Sequence, residues 1–197
     1  MIPNDLQLEN DKVLLRPLRY SDYNVLLPFA LNEPEIWYFS LVRAAGADGL
    51  RNYIDIALKA RETGQEFPFI VFDKTTGQCA GSTRFYDINF PFRTLQLGYT
   101  WYGKAFQGTA VNKNCKYLLL DYAFEALGME RVEFRADANN ARSIAAMKSI
   151  GCNVDGILRA NMPKADGGRR DSIVLSILKD EWYDGVKSDL YKKINTL

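Results

Sequence analysis

The chain has 197 residues, 47% of them hydrophobic and 25% charged, a composition that supports one ordinary core without disulfides and is neither disordered nor membrane-like. Twenty-five Lys and Arg against 24 Asp and Glu leave a net charge of +1, so the overall basic field that grips nucleic acid is absent, although a local basic patch is not excluded. There is no histidine, which rules out a Ser-His-Asp triad, a His-ligated metal and an imidazole base.

Proton transfer therefore falls to Glu, Asp, Tyr, Lys, Ser, Cys, a chain terminus or water. Apolar runs stay shorter than the roughly 18 residues of a membrane span. The first residues, MIPNDLQLENDKVLL, show no basic stretch followed by an apolar one, so a secretory signal is not expected. Cys79, Cys115 and Cys152 are odd in number, far apart and without a CxxC pair. Neither a disulfide framework nor a metal site is expected, and free thiols point to the cytoplasm.

In chain order, Val13–Leu18 reads as a first strand, and Ser21 is an N-cap candidate for a helix from Asp22 to about Leu31. A second helix is predicted over Asp48–Arg61, with Leu50, Tyr53, Ile54, Ala57 and Leu58 on one face and Gly64 as its stop. Phe67–Phe72 is a strand, Asp73–Gly77 has turn chemistry, and Cys79–Tyr86 returns as a second strand. Thr94–Trp101 is a further strand. A long helix is predicted over Thr109–Leu127, its apolar face carrying Val111, Cys115, Leu118, Leu119, Tyr122, Ala126 and Leu127, and Gly128 ends it. Arg131–Ala136 is a strand, Asn140–Ile150 a short helix closed by Gly151, and Asn153–Arg159 and Ser172–Leu178 the last strands, joined by the polar loop 163–168. A final helix is predicted from about Asp180 to Tyr191. With no repeat and no low-complexity linker, residues 1–197 read as a single domain of order β-α-α-β-β-β-α-β-α-β-β-α, an α/β (α+β) class with a mixed sheet and helices on its faces.

Two strand-to-helix junctions carry chemistry. In Trp101–Lys113 the helix start exposes unpaired N–H groups at its positive end, a place for phosphate, with Gly108 and Ala110 small enough for close approach and Lys104 and Lys113 adding charge. Neither a P-loop nor G-x-G-x-x-G is present. Asp137–Ser143 is a second such start. Taken alone, each is equally well an ordinary capped helix. If their strands are adjacent, the two would lie side by side, at the kind of place beyond the carboxyl ends of strands where open α/β folds bind ligands.

The ordered set of motifs resembles the GNAT superfamily of N-acetyltransferases, in particular its ribosomal-protein N-terminal acetyltransferase branch. It runs from about Leu8 to Leu178 and leaves a C-terminal helix at about 180–191. It is carried by Val13-Leu-Leu-Arg-Pro-Leu18 before a Ser-Asp helix start, Leu97-Gly-Tyr-Thr-Trp101, and Asp121-Tyr-Ala-Phe-Glu-Ala-Leu-Gly-Met-Glu-Arg-Val132. The later part is Asn140-x-x-Ser143, Met147-Lys-Ser-Ile-Gly-Cys152 and Asp155-Gly-Ile-Leu-Arg159. No single motif is specific; their order is. The resemblance implies a mostly antiparallel mixed sheet with helices on both faces, acetyl-CoA as cosubstrate without a metal, and an amine acceptor, either a protein N-terminus or a small amine. It implies neither a nucleic acid nor a membrane partner, and a homodimer is compatible with it.

The resemblance also assigns the donor site. The family pyrophosphate loop falls on Gln107, Gly108, Thr109, Ala110, Val111 and Asn112, with Lys113 following. Ala110 stands where the family has glycine, and Asn112 where it has a small residue. Asn140 matches the residue that bonds the pantetheine arm. Ser143 lies near the thioester sulfur, as candidate proton donor or thiolate partner. Leu97, Tyr99 and Trp101 lie on the strand whose backbone would pair with pantetheine and hold the oxyanion. Some relatives carry a carboxylate base where this chain has Gln96; Asp87 and Glu133 lie nearby, and no base is assigned. Pro28–Glu66 is expected to shape the acceptor pocket, with Glu33, Glu35, Trp37, Tyr38 and Phe39 available to it. The alternatives are a polyamine or aminoglycoside acceptor, an acyl-CoA-binding sensor without turnover, and a nucleotide or S-adenosylmethionine site at the same junctions.

Overall fold

The computed structural model of the chain describes residues 2–164 and 167–196. The strands are β1 (Leu8–Glu9), β2 (Val13–Pro17), β3 (Phe67–Asp73), β4 (Gln78–Asn89), β5 (Thr94–Tyr102), β6 (Arg131–Asp137), β7 (Asn153–Pro163) and β8 (Arg169–Leu178), with burial alternating along β2 and β6 and continuous through the start of β3 and most of β4. They form one sheet in the order β1-β2-β3-β4-β5-β6-β8-β7. Every neighbouring pair is antiparallel except β5 and β6. The helices are α1 (Tyr23–Asn32), α2 (Gly46–Glu62), α3 (Ala110–Asp121), α4 (Ala141–Ser149), α5 (Lys179–Glu181) and α6 (Lys187–Asn195). No helix among the described residues is long and apolar enough to cross a membrane.

The sheet buries both faces. Leu50, Tyr53, Ile54, Ala57 and Leu58 of α2 pack with Leu26 and Ala30 of α1 against Ile70 and Trp101. Val111, Cys115 and Leu119 of α3, with Met147 of α4 and Leu190 and Ile194 of α6, pack on the opposite face against Phe85, Leu97, Val132 and Phe134. The helix faces read from the sequence thus become the two layers, as the 3.6-residue period requires.

Four details differ from the sequence expectation. The two-residue β1 has too little pattern to be seen. Ser21 makes no cap; a 3-10 turn (Tyr20–Asp22) precedes α1, and the Asp22 carboxylate accepts the Arg19 N–H at 2.9 Å while forming a bidentate pair with Arg16 (2.6 and 2.9 Å). The long helix passes into a π turn (Tyr122–Ala126) in which the Leu127 N–H donates to Tyr122 O, five residues back. That extra residue per turn rotates the face, so Ala123 and Phe124 become buried while Tyr122 is half-buried and Ala126 exposed; Leu118, in the regular helix before it, is half-buried as well. A second π turn (Trp182–Val186) joins α5 to α6. Of the predicted loop 163–168, Ala165 and Asp166 lie outside the described residues.

Trp182, fully buried, stacks on Phe124 with ring centroids 5.4 Å apart. This contact couples the two π turns and fixes the C-terminal helix on the sheet. Trp182→Ala is expected to lower unfolding free energy by about 3–5 kcal/mol. A urea midpoint and slope within error of the parent would contradict this packing role.

Candidate active site

The site is built where the sheet comes apart. β5 and β6 pair in parallel only at Thr94–Arg131, Leu95–Val132 and Gln96–Glu133. Beyond that register no ladder pair joins them among the described residues, and a wedge opens toward their carboxyl ends. On its other side β5 stays paired to β4, but the register jumps from Ser82–Trp101 to Arg84–Gly98. Tyr99 and Thr100 therefore oppose Thr83 alone, which is a β-bulge. Tyr99 adopts φ 48°, a left-handed value for a bulky residue that the surrounding contacts must hold.

Those contacts come from both faces. On the α2 face the buried Arg84 guanidinium lies 4.1 Å from the Tyr99 ring centroid and 4.8 Å from that of Tyr53, and its Nη1 donates to Glu66 Oε2 at 2.6 Å. On the α3 face Thr100 Oγ1 shares a 2.7 Å hydroxyl–hydroxyl bond with Thr83 Oγ1 and accepts from Lys116 Nζ at 2.8 Å. The bulge is thus set between a buried arginine and a buried lysine.

The two junctions singled out in the sequence meet at the mouth of the wedge. Gln107 Nε2 donates to Tyr102 O at 2.8 Å, and Gln107 Oε1 accepts from Arg142 Nη1 at 2.5 Å. Arg142, on the first turn of α4, therefore bridges Gln107–Asn112 to Asn140–Ser143. Gly108 has φ 76° with open space at its Cβ position, so conformation, not room, demands glycine there. Thr109 caps α3: its Oγ1 donates to Phe106 O and accepts from Val111 N at 3.3 Å. Ala110 begins the helix proper, and a Cβ is harmless there. Val111 is buried in the core, whereas Gly108 and Thr109 are exposed and Asn112 and Lys113 half-buried, so the helix start faces solvent. Lys104 is less available than expected, being paired with Glu35 while its N–H donates to Glu33 Oε2 at 2.7 Å.

Asn140 Oδ1 accepts the Ser143 N–H at 3.1 Å, so Asn140 is a helix cap as well as a candidate ligand. Ser143 is half-buried. The Leu97 and Trp101 side chains are buried in opposite layers, which leaves only their backbone for the wedge. A tethered phosphate at the α3 start and an extended amide-bearing arm along β5 fit this arrangement: N–H groups of a first helical turn lie next to strand groups that lost their ladder partner.

The two carboxylates that the sequence placed near the wedge are both engaged, while Asp137 at the carboxyl end of β6 accepts, among the described residues, only from Asn139 of its own turn, through Oδ1. Asp87 Oδ2 accepts from Gln96 Nε2 at 2.8 Å, and Glu133 lies between Arg131 (3.0 Å) and Arg135 (2.7 Å). Burial raises the hydroxyl pKa of Tyr86, Tyr99 and Tyr102 and keeps all three protonated. A cavity of about 280 Å³ opens at the carboxyl end of β6, lined by Tyr38, Phe39, Arg43, Asp137 and Arg170 among others. Arg170 Nη1 donates to Phe39 O at 3.4 Å and fixes that loop over the sheet. Of the residues expected to shape the acceptor pocket, Tyr38 and Phe39 line this cavity. Trp37 is a core residue packed on Trp101 (4.9 Å), and Glu33 and Glu35 hold Lys104.

The sequence reading missed Lys116, Arg142 and Arg170. Lys116 was hidden by the apolar face assigned to the long helix; an isolated lysine amid that face was the available signal. It is 5% exposed, and burial brings its pKa down to about 8. Facing it are Thr100 from β5, Phe134 from β6 (ring centroid 5.8 Å), Cys115 from its own helix, and Cys152. Burial pushes both thiols up to about 12, so neither is an anion at neutral pH. Below pH 8 folded and unfolded chains both carry the lysine charge, and the fold bears its desolvation. Between pH 8 and about 10.4 the folded chain loses the proton first, so stability rises with pH. Lys116→Met should therefore stabilise the fold at pH 7 by about 1–3 kcal/mol. The gain should shrink by pH 10.5; a gain independent of pH in urea titrations would refute this reading.

The geometry agrees with comparisons to known proteins. The family model described as "Acetyltransferase (GNAT) domain" matches residues 12–153. The N-acetyltransferase p20 of Bacillus licheniformis, itself uncharacterized, is 27% identical over 180 residues, covering 89% of this chain and 97% of that protein. YdaF of Bacillus subtilis (strain 168), named a "putative ribosomal N-acetyltransferase", is 30% identical over 106 residues, covering 54% of this chain and 57% of its own. The crystal structure of a GCN5-related N-acetyltransferase from Brucella melitensis superposes with a TM-score of 0.89 at 23% identity, covering 98% of this chain and 86% of that one, and so shares the fold. With the family model spanning well over half of its sequence and the parted strands in place, the chain belongs to the GNAT family and is an acetyltransferase.

Proposed function

We propose that the protein moves the acetyl group of acetyl-CoA to a primary α-amine of a protein or peptide, by direct attack within a ternary complex. The observation that carries this reading is the junction at the wedge mouth: the α3 start, the α4 start and the bulged β5 converge, with Arg142 linking the first two. The Gly108–Asn112 N–H groups take the pyrophosphate, with Lys113 and Arg142 alongside. The backbone of Leu97, Tyr99 and Trp101, past the last β5–β6 pair, takes the pantetheine amides and holds the acetyl oxygen as charge develops on it. Asn140 bonds the arm, and Ser143 Oγ stabilises the leaving sulfur.

The acceptor follows from what the site lacks. An alkyl ammonium has a pKa near 10.4 and an α-ammonium near 8, about 3 kcal/mol apart in the work of deprotonation. A site in which Asp87 and Glu133 are tied up suits the second, with water taking the proton. YdaF, named a "putative ribosomal N-acetyltransferase", supports a protein acceptor. The cavity at the end of β6 is small for a ligand site and fits a chain end rather than a folded surface. Among the described residues that line the cavity, Asp137 is the single carboxylate, fewer than a polyamine would need.

Thiol release from acetyl-CoA tests the acceptor. At pH 7 a peptide with a free N-terminus and no lysine should exceed its N-blocked, lysine-bearing counterpart at least tenfold in kcat/KM. Preference for the blocked peptide, or for spermidine, would replace this reading. Arg142→Ala should weaken acetyl-CoA binding by about tenfold, the loss of one charge-assisted contact. Ser143→Ala should lower kcat about tenfold or more with little change in acetyl-CoA affinity; an unchanged kcat would remove Ser143 from the mechanism.

A further inference from the structure

Lys116 is a buried charge that the packing does not explain. Its ammonium has three protons to donate, and among the described residues one acceptor, Thr100 Oγ1 at 2.8 Å, is recorded for it. No carboxylate pairs with it there. The contrast with its neighbour Asn114 is direct: Asn114 Nδ2 donates to Ala110 O at 2.9 Å, and its Oδ1 accepts from Asn10 Nδ2 at 2.8 Å, so that amide is tied at both ends. An unpaired buried charge is costly, and a methionine or leucine would fill the same volume without desolvation. The charge is therefore kept against its cost to the fold.

Its location says what the charge can act on. Lys116 lies beneath the wedge and reaches both parted strands, Thr100 at the β5 bulge and Phe134 one residue past the last β6 pair. The other buried cation at the bulge, Arg84, is already paired with Glu66 at 2.6 Å, which leaves Lys116 as the uncompensated one. Negative charge appears above this floor during acetyl transfer. Attack of the amine nitrogen forms the C–N bond, the C–S bond breaks, the sulfur leaves with the electron pair as thiolate, and the surplus N–H proton passes to water.

We propose that Lys116 is a positioning residue whose ammonium, hooked to the bulge through Thr100, supplies the positive charge that stabilises the departing CoA thiolate. It acts from below the strands, through Thr100 and through space in a medium of low dielectric, where one charge is felt strongly. The inference rests on the wedge being the CoA site and adds a residue to it.

The test needs no acceptor. Free CoA is bound to the wild-type protein, and its thiol is titrated by far-ultraviolet thiolate absorbance against the desulfo-CoA complex as blank. A nearby opposite charge lowers such a pKa by about one to three units. The thiol on the wild type should thus titrate at least one unit below the thiol on Lys116→Met, and Lys116→Arg should restore the low value. A lysine that only packs would leave the thiol unmoved. Thr100→Val, which keeps the lysine but removes its recorded acceptor, should shift the thiol upward as well and serves if Lys116→Met does not fold. Equal thiol pKa values in the wild type and the variants, with CoA binding intact by calorimetry, would overturn the role of Lys116 alone. A wild type that binds no CoA would overturn the donor site and this inference with it.

Discussion

Everything functional in this fold hangs on a pairing that stops. β5 and β6 are the one parallel pair in the sheet, and they remain together for three residues before parting at Gln96 and Glu133. Buried backbone groups need partners, so a strand that leaves its neighbour in mid-sheet must face water or a ligand. Here the departing strand is also bulged, with Tyr99 held at φ 48°. That conformation persists because both faces constrain it: Arg84 stacks on the Tyr99 ring, and the Lys116–Thr100–Thr83 chain fastens the next residue. The bulge thus places a left-handed, non-glycine residue just past the end of the β5–β6 pairing.

Stability and function pull apart at the same place. The layers on either side of the sheet are conventional apolar packing, closed at one end by Trp182 on Phe124. Near the wedge the interior becomes polar instead, and not every polar group is satisfied: Gln96 Oε1 and two Arg84 nitrogens are buried without partners. Unsatisfied groups of this kind weaken a fold and are retained where chemistry gains from fixed dipoles and charges. The proposed function relies on charge stabilisation more than proton transfer, in keeping with Asp87 and Glu133 being tied up and the three tyrosines near the wedge being protonated.

Much of this was legible in the residues themselves. Periodicity placed α2 and its buried face residue for residue, and glycines marked the ends of helices, because both signals are local: a 3.6-residue repeat and a φ above zero are properties of a few consecutive residues. The strand-to-helix junctions at Gln107 and Asn140 could be found the same way, as capped helix starts with small polar residues. Their ordinary role is visible in the structure, where Thr109 and Asn140 do cap. Local sequence could say that each was a helix start but not that the two face each other.

That last fact, and the site with it, belonged to the tertiary structure. The Arg142–Gln107 contact joins residues 35 positions apart, and Arg170 reaches Phe39 across 131. The π turn at Tyr122–Ala126 rotated the long helix and buried residues that a regular helix would have left at the side. Lys116 reads in the sequence as an ordinary solvated lysine in an amphipathic helix, and only the strands laid over it make it a buried cation. Sequence determined the elements, the layers and the family, since these follow from local periodicity and motif order. Where a charge loses its water is set by what other segments bring against it, and that was decided by the fold.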